Sequence, residues 1–202
     1  VDIKRVKNSA RMKKIFFLLM MFAACNVHAQ NKDYPIQGVS FTQVHLSDNF
    51  WLPSIQINQM VTIPASFERC EKTGRINNFV MAAAHSGKFC TIYPFDDTDI
   101  YKTLEGASYS SSLFPDSVMA AYMDSLIAIV GKAQEPDGYL YTARTIDPQH
   151  PQAWAGSERW VNERKLSHEL YNAGHLYEAA AAHYMATGKK NLLNILIKQT
   201  YY

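Results

Sequence analysis

The stretch KLSHELYNAGHLYEAAAAHYMATGKK, residues 165–190, decides the fold of this chain. Its apolar and aromatic side chains recur at spacings of three and four, which predicts an α-helix. His168 and His175 lie seven positions apart in it. At about 100° per residue, such positions fall nearly on one line along a helix. Both imidazoles are therefore expected on the same face.

The end of this helix is better marked than its beginning. Gly188 and the lysines after it are typical of a helix C-terminus, whereas Ser157 and Ser167 are equally good starts. The helix is apolar or aromatic nearly all round, which indicates burial on both sides. One side would pack on neighbouring helices and the other would face a cavity. From spacing alone, the two histidines are either hydrogen-bonded core residues or lining residues of that cavity.

The rest of the chain reads as helices joined by loops. The patterns predict two long helices, residues 100–113 and 117–133, with the turn EPDG after the second at residues 135–138, and a final helix from Asn191. Earlier in the chain they predict a short strand at residues 39–46, a helical segment at 55–69 with a kink at Pro64, and a short helix at 79–84. Thr98 or Asp99 is expected to cap the first long helix. Antiparallel helical hairpins follow, so the fold class is mainly α. The sequence ends within the final helix, which suggests a fragment.

Composition limits the function classes. Hydrophobic residues make up 48% and charged residues 19% of the chain, so a packed core is expected. The net charge is +2, and much of the positive excess lies before residue 15. Because no basic stripe interleaved with aromatic residues follows, nucleic-acid binding is not supported.

Residues 1–29 resemble an extension followed by a signal peptide. Met12 and two lysines precede an apolar run too short to be a permanent membrane anchor. Cleavage after Ala29 is favoured, and cleavage before Cys25, which would leave a lipid anchor there, is the alternative. Either cleavage predicts export to the periplasm. Cleavage before Cys25 would leave a lipoprotein associated with the outer membrane. Residues 30–202 form one domain, with no other membrane contact expected.

Few residues have the spacing of a reactive site. Cys70 and Cys90 would be able to pair in an oxidising compartment, but no CxxC or HxxxH spacing predicts a zinc site, so no metal ligand is assigned. The three aspartates of FDDTD, residues 95–99, are interpreted as fixing a helix start and a loop rather than as an acid/base pair. Glu169 is expected in solvent or between helices, and Tyr139 at the rim of the cavity.

Several motifs together resemble one enzyme family. They are NNFVMAAA, PFDDTDIYKTLEGASY, AQEPDGYLYT and SHELYNAGHLYEAAAAHYMATGKK, at residues 77–84, 94–109, 133–142 and 167–190. In this order they resemble the N-terminal part of the β-L-arabinofuranosidases of glycoside hydrolase family 127. The resemblance implies the N-terminal portion of an (α/α)6 barrel, an incomplete toroid whose inner helices line the substrate cavity.

The resemblance also implies a chemistry that this chain does not carry by itself. In the family, a zinc-bound cysteine is the nucleophile of a retaining mechanism and a glutamate is the acid/base, and all these residues lie further downstream. Cys70 and Cys90 do not match the family's cysteine motifs. No catalytic residue and no cofactor is therefore assigned to this chain, and it is expected to be inactive alone.

The resemblance does carry a substrate contact over to His168, the first histidine of the motif. A neutral imidazole can donate to one hydroxyl of an arabinofuranose and accept from another. His175 shares its face, and Asn78 either touches the sugar or braces the cavity. The expected partner is an arabinofuranose-containing oligosaccharide. The alternatives are a non-enzymatic helical-repeat binding module, or another (α/α)-barrel enzyme such as an unsaturated glucuronyl hydrolase.

Overall fold

The computed structural model describes residues 36–201. The predicted leader, with Cys25, lies outside the described residues. The four described residues of the unit Val1–Val39 form no helix or strand. In the unit Ser40–Tyr202 the helices are α1 Trp51–Ile57, α2 Ile63–Lys72, α3 Arg75–Ala84, α4 Asp97–Leu113, α5 Ser117–Ala133, α6 Thr142–Thr145, α7 Glu169–Thr187 and α8 Asn191–Thr200.

Helices α4 and α7 pack side by side and run parallel. The Lys102 ammonium donates to the Tyr171 hydroxyl at 2.7 Å near their N-terminal ends, and the Ser108 hydroxyl lies 3.4 Å from Nδ1 of His183 further along both helices. Because the residue numbers of the contacting pairs increase along both helices, the two helices run in the same direction. The first helices of two successive hairpins are therefore parallel neighbours.

The second helices of these hairpins, α5 and α8, are parallel as well. Asp124 of α5 binds Lys189 just before α8 at 2.5 Å, and the Gln134 amide after α5 donates to the Ile195 carbonyl at 2.8 Å. Two hairpins stacked in this way, first helix beside first and second beside second, form part of an (α/α) barrel.

The preceding segment packs against the first of these hairpins. The rings of Phe67 in α2 and Tyr122 in α5 meet edge to face at 5.0 Å. At Pro64, where the sequence predicted a kink, the helical backbone continues: a π turn, Asn58–Thr62, precedes α2, and Pro64 is the second residue of α2. Proline lacks the N–H that would continue the hydrogen-bond ladder, and the π turn accommodates that loss.

The boundaries of the helices agree in part with the sequence. Helix α5 has the predicted bounds, and α4 begins three residues before the predicted start at Ile100. The strand predicted for residues 39–46 is wrong: the segment holds a 3₁₀ turn, Phe41–Gln43, and Phe41 packs against the Tyr109 ring at 4.8 Å. A strand needs a neighbouring strand for its backbone hydrogen bonds, and residues 36–201 contain none.

The burial predicted on both sides of the paired-histidine helix is wrong for the described chain. Helix α7 buries a face of small and apolar residues, including Ala173, Leu176 and Ala180, against α4 and α8. On other positions, Leu170 is 61% and Met185 is 52% exposed. Two packing neighbours cover one side of a helix, and the other side stays open. In the described part of the chain, no helix has the length and apolar character needed to cross a bilayer.

Candidate functional site

A row of four rings lies where the N-terminal ends of α4 and α7 meet. Phe95 precedes α4, and its ring centre is 5.6 Å from that of His168; His168 is 5.9 Å from Tyr171, and Tyr171 is 4.7 Å from His175. All four rings meet edge to face. We call these four residues the ring row. Both histidine rings contact Tyr171 and so lie on the same side, as predicted, but the prediction that the helix carries both histidines is wrong for His168.

His168 is the residue before the helix and not part of it. Its backbone has φ 57 and ψ 26, the left-handed conformation that is rare for residues other than glycine. Neither Ser157 nor Ser167 caps the helix with its side chain. The backbone N–H of Glu169, the first helical residue, donates instead to the Glu163 carboxylate at 2.6 Å.

The Nδ1 atom of His168 lies 2.7 Å from the Leu166 carbonyl oxygen. Since a carbonyl only accepts, Nδ1 carries the proton and donates. Among the described residues, Nε2 of His168 has no hydrogen-bond partner. In this conformation the donor is used within the protein, and Nε2 is the atom that can accept from a ligand. The substrate contact expected at His168 stays a prediction.

His175 is the more enclosed of the two histidines, with 20% of its side chain exposed. Its Nδ1 lies 3.0 Å from a carboxylate oxygen of Glu178, one turn further along α7. Glu105 of α4 joins them, so that three potential ligand atoms lie within 4.8 Å of one another. Glu105 also accepts from the Tyr109 hydroxyl at 2.8 Å. These contacts join α4 to α7 at the His175 end of the ring row.

One side of the ring row is open to solvent. Tyr171 is 43% and Phe95 is 38% exposed, and the Tyr93 ring stacks on Phe95 at 5.6 Å. Lys102, which donates to the Tyr171 hydroxyl, places a cation 4.9 Å from the centre of that ring. Sequence reasoning missed Tyr93, Phe95 and Lys102, since only the long-range contact between the helix ends brings them to the histidines.

A buried carboxylate lies behind the row, where sequence reasoning expected a residue in solvent or between helices. Glu169 is 1% exposed and accepts from the Tyr139 hydroxyl at 2.5 Å and the Ser167 hydroxyl at 2.8 Å. Both of its oxygens also lie 3.0 Å from the backbone N–H of Trp160. Tyr139 is fully buried, not at a cavity rim. Burial and the bond to Glu169 raise the pKa of Tyr139, so its hydroxyl stays a donor.

The three aspartates at the start of α4, Asp96, Asp97 and Asp99, hold neighbouring segments in place, as interpreted from the sequence. Asp97 accepts from the backbone N–H of Thr142 at 2.9 Å and from its hydroxyl at 2.5 Å. Asp96 and Asp99 both pair with the Arg75 guanidinium, at 2.9 and 2.6 Å. Burial raises the pKa of Asp97 to about 6 and that of Asp96 to about 6, although Arg75 opposes the rise for Asp96. The expected cap at Thr98 or Asp99 is wrong; Asp96 holds the N-cap position without a side-chain cap bond.

Asn78 lies away from the ring row, in α3. It is fully buried, and its side-chain oxygen accepts from the backbone N–H of Cys90 at 3.0 Å. This bond braces the loop between α3 and α4. Of the two roles predicted for Asn78, bracing is the one that these contacts favour.

The described residues do not fit a zinc centre of cysteines and a glutamate. Cys70 and Cys90 are both free thiols. Burial raises the pKa of Cys70 to about 11 and raises that of Cys90 too, so both thiols are protonated at neutral pH. The metal-type cluster in residues 36–201, that of Glu105, His175 and Glu178, contains no cysteine.

Comparison with known proteins gives concordant matches. The family model described as beta-L-arabinofuranosidase, GH127 catalytic domain, matches residues 43–202. A non-reducing end beta-L-arabinofuranosidase of Bifidobacterium longum subsp. longum is 36% identical over 104 residues, which are 52% of this chain and 15% of that protein.

Two solved structures share the fold. The GH127 beta-arabinofuranosidase BT3674 superposes with a TM-score of 0.79 and 56% identity, over 84% of this chain and 27% of its own. Ara127N-Se, a GH127 beta-L-arabinofuranosidase from Geobacillus stearothermophilus T6, gives a TM-score of 0.70 and 36% identity, over 78% of this chain and 25% of its own. The chain thus spans about a quarter or less of the length of these relatives.

Proposed function

This chain belongs to the family of the GH127 beta-L-arabinofuranosidase catalytic domain, and we propose that it forms part of the arabinofuranose-binding wall of an exported glycosidase. The substrate class is a glycan with terminal β-linked L-arabinofuranose. The relatives are named for this sugar, and the chain shares their fold over most of its described length.

The ring row carries the proposal. Its half-open aromatic rings suit the C–H faces of a sugar ring, and the Nε2 atom of His168 is a fixed acceptor between Phe95 and Tyr171. A furanose hydroxyl would donate to Nε2.

Bond cleavage is assigned to residues other than those described. A retaining glycosidase needs two reactive groups about 5–5.5 Å apart on either side of the glycosidic bond. The carboxylates at the ring row all have partners within the protein. Glu178 lies 3.0 Å from Nδ1 of His175, and Glu105 accepts from the Tyr109 hydroxyl. Glu169 and Asp97 are buried and accept from protein donors. The two free thiols of the described residues, Cys70 and Cys90, do not form a zinc site. The chain by itself should bind without turning over.

Export belongs to the same proposal and rests on residues 12–29 alone. A basic start, a short apolar run and small residues before position 30 are typical of a leader peptide. Expression in a bacterial host, followed by mass spectrometry of the periplasmic fraction, tests it. A product beginning at Gln30 supports cleavage after Ala29, a lipidated Cys25 supports the lipoprotein route, and unprocessed chain in the cytoplasm refutes export.

The binding proposal is tested by titrating the ¹⁵N-labelled chain with methyl β-L-arabinofuranoside. Signals of His168 and Tyr171 should shift, and methyl α-D-glucopyranoside should leave them unchanged. Replacing the partly buried acceptor, His168→Ala, should abolish the shifts while the fold persists. A chain that binds neither sugar, or that binds equally well without His168, contradicts the proposal. Release of chromophore from 4-nitrophenyl β-L-arabinofuranoside by the chain would contradict the assignment of cleavage to other residues.

A further inference from the structure

His168 lies between Ser167 and Glu169, and both of these residues accept hydrogen bonds from buried tyrosines of one segment. The Tyr141 hydroxyl donates to the carbonyl of Ser167 at 2.6 Å, and the Tyr139 hydroxyl donates to the carboxylate of Glu169 at 2.5 Å. Both tyrosines are at most 1% exposed. They are alternate residues of an extended stretch, so their side chains leave on the same side. That stretch therefore fixes the chain immediately before and immediately after His168.

The carboxylate of Glu169 joins several segments at this point. Its donors come from Tyr139, from Ser167 and from the backbone of Trp160, at distances of 2.5 to 3.0 Å. A buried carboxylate is costly unless its oxygens are hydrogen-bonded. The removal of one donor therefore leaves part of the buried charge without a hydrogen bond, which destabilises this arrangement. Its location at the first position of α7 adds the favourable field of the helix N-terminus.

The held residue has a conformation that it would not keep by itself. At φ 57 the backbone of His168 is disfavoured relative to the right-handed region, and such a residue persists only where its surroundings over-determine it. The imidazole reaches the Leu166 carbonyl from that conformation. Any relaxation of the backbone turns the ring and releases Nδ1, after which either ring nitrogen can carry the proton.

We propose that Glu169, held by Tyr139, is a positioning residue that keeps His168 in the left-handed conformation and so aims its Nε2 acceptor at the sugar. Glu169 does not touch the substrate; it acts through the residue before it. The identity of the ligand rests on the function proposed above, whereas the positioning of the imidazole does not.

The test uses the full chain, labelled with ¹⁵N, and two variants. Tyr139→Phe removes one donor and keeps the ring, and Glu169→Gln keeps the size and removes the charge. Tyr122→Phe is the matched control, because its hydroxyl also donates to a glutamate, Glu71, at 2.6 Å, but joins α5 to α2. A His168→Gln sample identifies the imidazole signals of that residue.

Two readouts separate positioning from general stability. Long-range ¹H–¹⁵N spectra report which ring nitrogen of His168 carries the proton, and we expect Nδ1–H in the wild type and in Tyr122→Phe, but a mixture of tautomers in the other two variants. The affinity for methyl β-L-arabinofuranoside should fall by about 5–30-fold in Tyr139→Phe and Glu169→Gln, the factor by which the left-handed conformation is disfavoured. The control should keep the wild-type affinity.

The proposal is overturned if both variants are folded and keep the Nδ1–H tautomer together with wild-type affinity. A loss of tautomer purity in the control as well would show a general loosening and would also overturn it. If the wild type binds no sugar, the proposed function fails, and the tautomer spectra still decide the positioning. If Glu169→Gln does not fold, as judged by its spectral dispersion, Tyr139→Phe decides alone.

Discussion

The turn EPDG before the buried tyrosines makes a sharp test of how the loop docks on α8. Gly138 has φ 107, and a Cβ atom built on it would lie 2.2 Å from the carbonyl oxygen of Lys198 and 2.9 Å from the carbonyl carbon. That carbonyl belongs to the backbone of a helix and cannot rotate away as a side chain would. Gly138→Ala must therefore both strain the turn and push α8 outward.

The expected destabilisation follows from these two effects. A residue other than glycine in an unfavourable backbone region costs about 1–3 kcal/mol, and forcing extra volume into a packed contact costs about 1–3 kcal/mol more. The free energy of unfolding should fall by about 2–6 kcal/mol, a large part of the roughly 5–15 kcal/mol of a typical domain. The matched control is Gly106→Ala in α4, where a Cβ meets nothing within 4 Å. It should raise stability by about 0.4–1 kcal/mol.

Urea unfolding at 25 °C, followed by far-UV circular dichroism, measures both variants. With a slope of about 1–3 kcal/mol per molar urea, the midpoint of Gly138→Ala should fall by at least about 0.7 M, and that of Gly106→Ala should rise slightly. A wild-type midpoint for Gly138→Ala would refute the docking of this turn on α8. Equal losses in the two variants would show that the two sites do not differ as the structure says.

Three further predictions concern single side chains. Burial raises the pKa of Asp97 from 3.8 to about 6, so the folded state holds the proton more tightly than the unfolded state. The free energy of unfolding should therefore fall by up to about 3 kcal/mol as pH rises from about 4 to about 6. Asp97→Asn should flatten this fall in urea titrations at pH 4.5 and 6.5, and the same pH dependence in wild type and variant would contradict the prediction. Asp116→Ala removes a cap that accepts from two backbone N–H groups of α5, at 2.8 and 3.1 Å, and should cost about 0.5–2 kcal/mol in the same unfolding assay, with Asp116→Asn retaining most of the stability. Leu176→Ala, at a fully buried position of α7, should cost about 2–5 kcal/mol by thermal unfolding, whereas Leu170→Ala on its open side should cost little.

Residues close to one another in the sequence predict much of the helical framework. Pro115 and Asp116 mark the start of α5, and the EPDG turn its end, because capping and turn formation need only residues within one turn of one another. The heptad spacing likewise placed His168 and His175 on one side. The strand before α1 was mispredicted for the opposite reason, since alternation of side chains does not say whether a partner strand exists.

The amino-acid sequence by itself determined the succession of helical hairpins, their sharpest ends and the family motifs that name the sugar. Only the tertiary structure decided that His168 stands outside its helix in a left-handed conformation, that Glu169 is buried behind it, and that Tyr93 and Phe95 lie beside it. Periodicity reports the relations of residues within a few positions. The donors that fix this site come from about thirty residues away, and the packing of parallel helices brings them together.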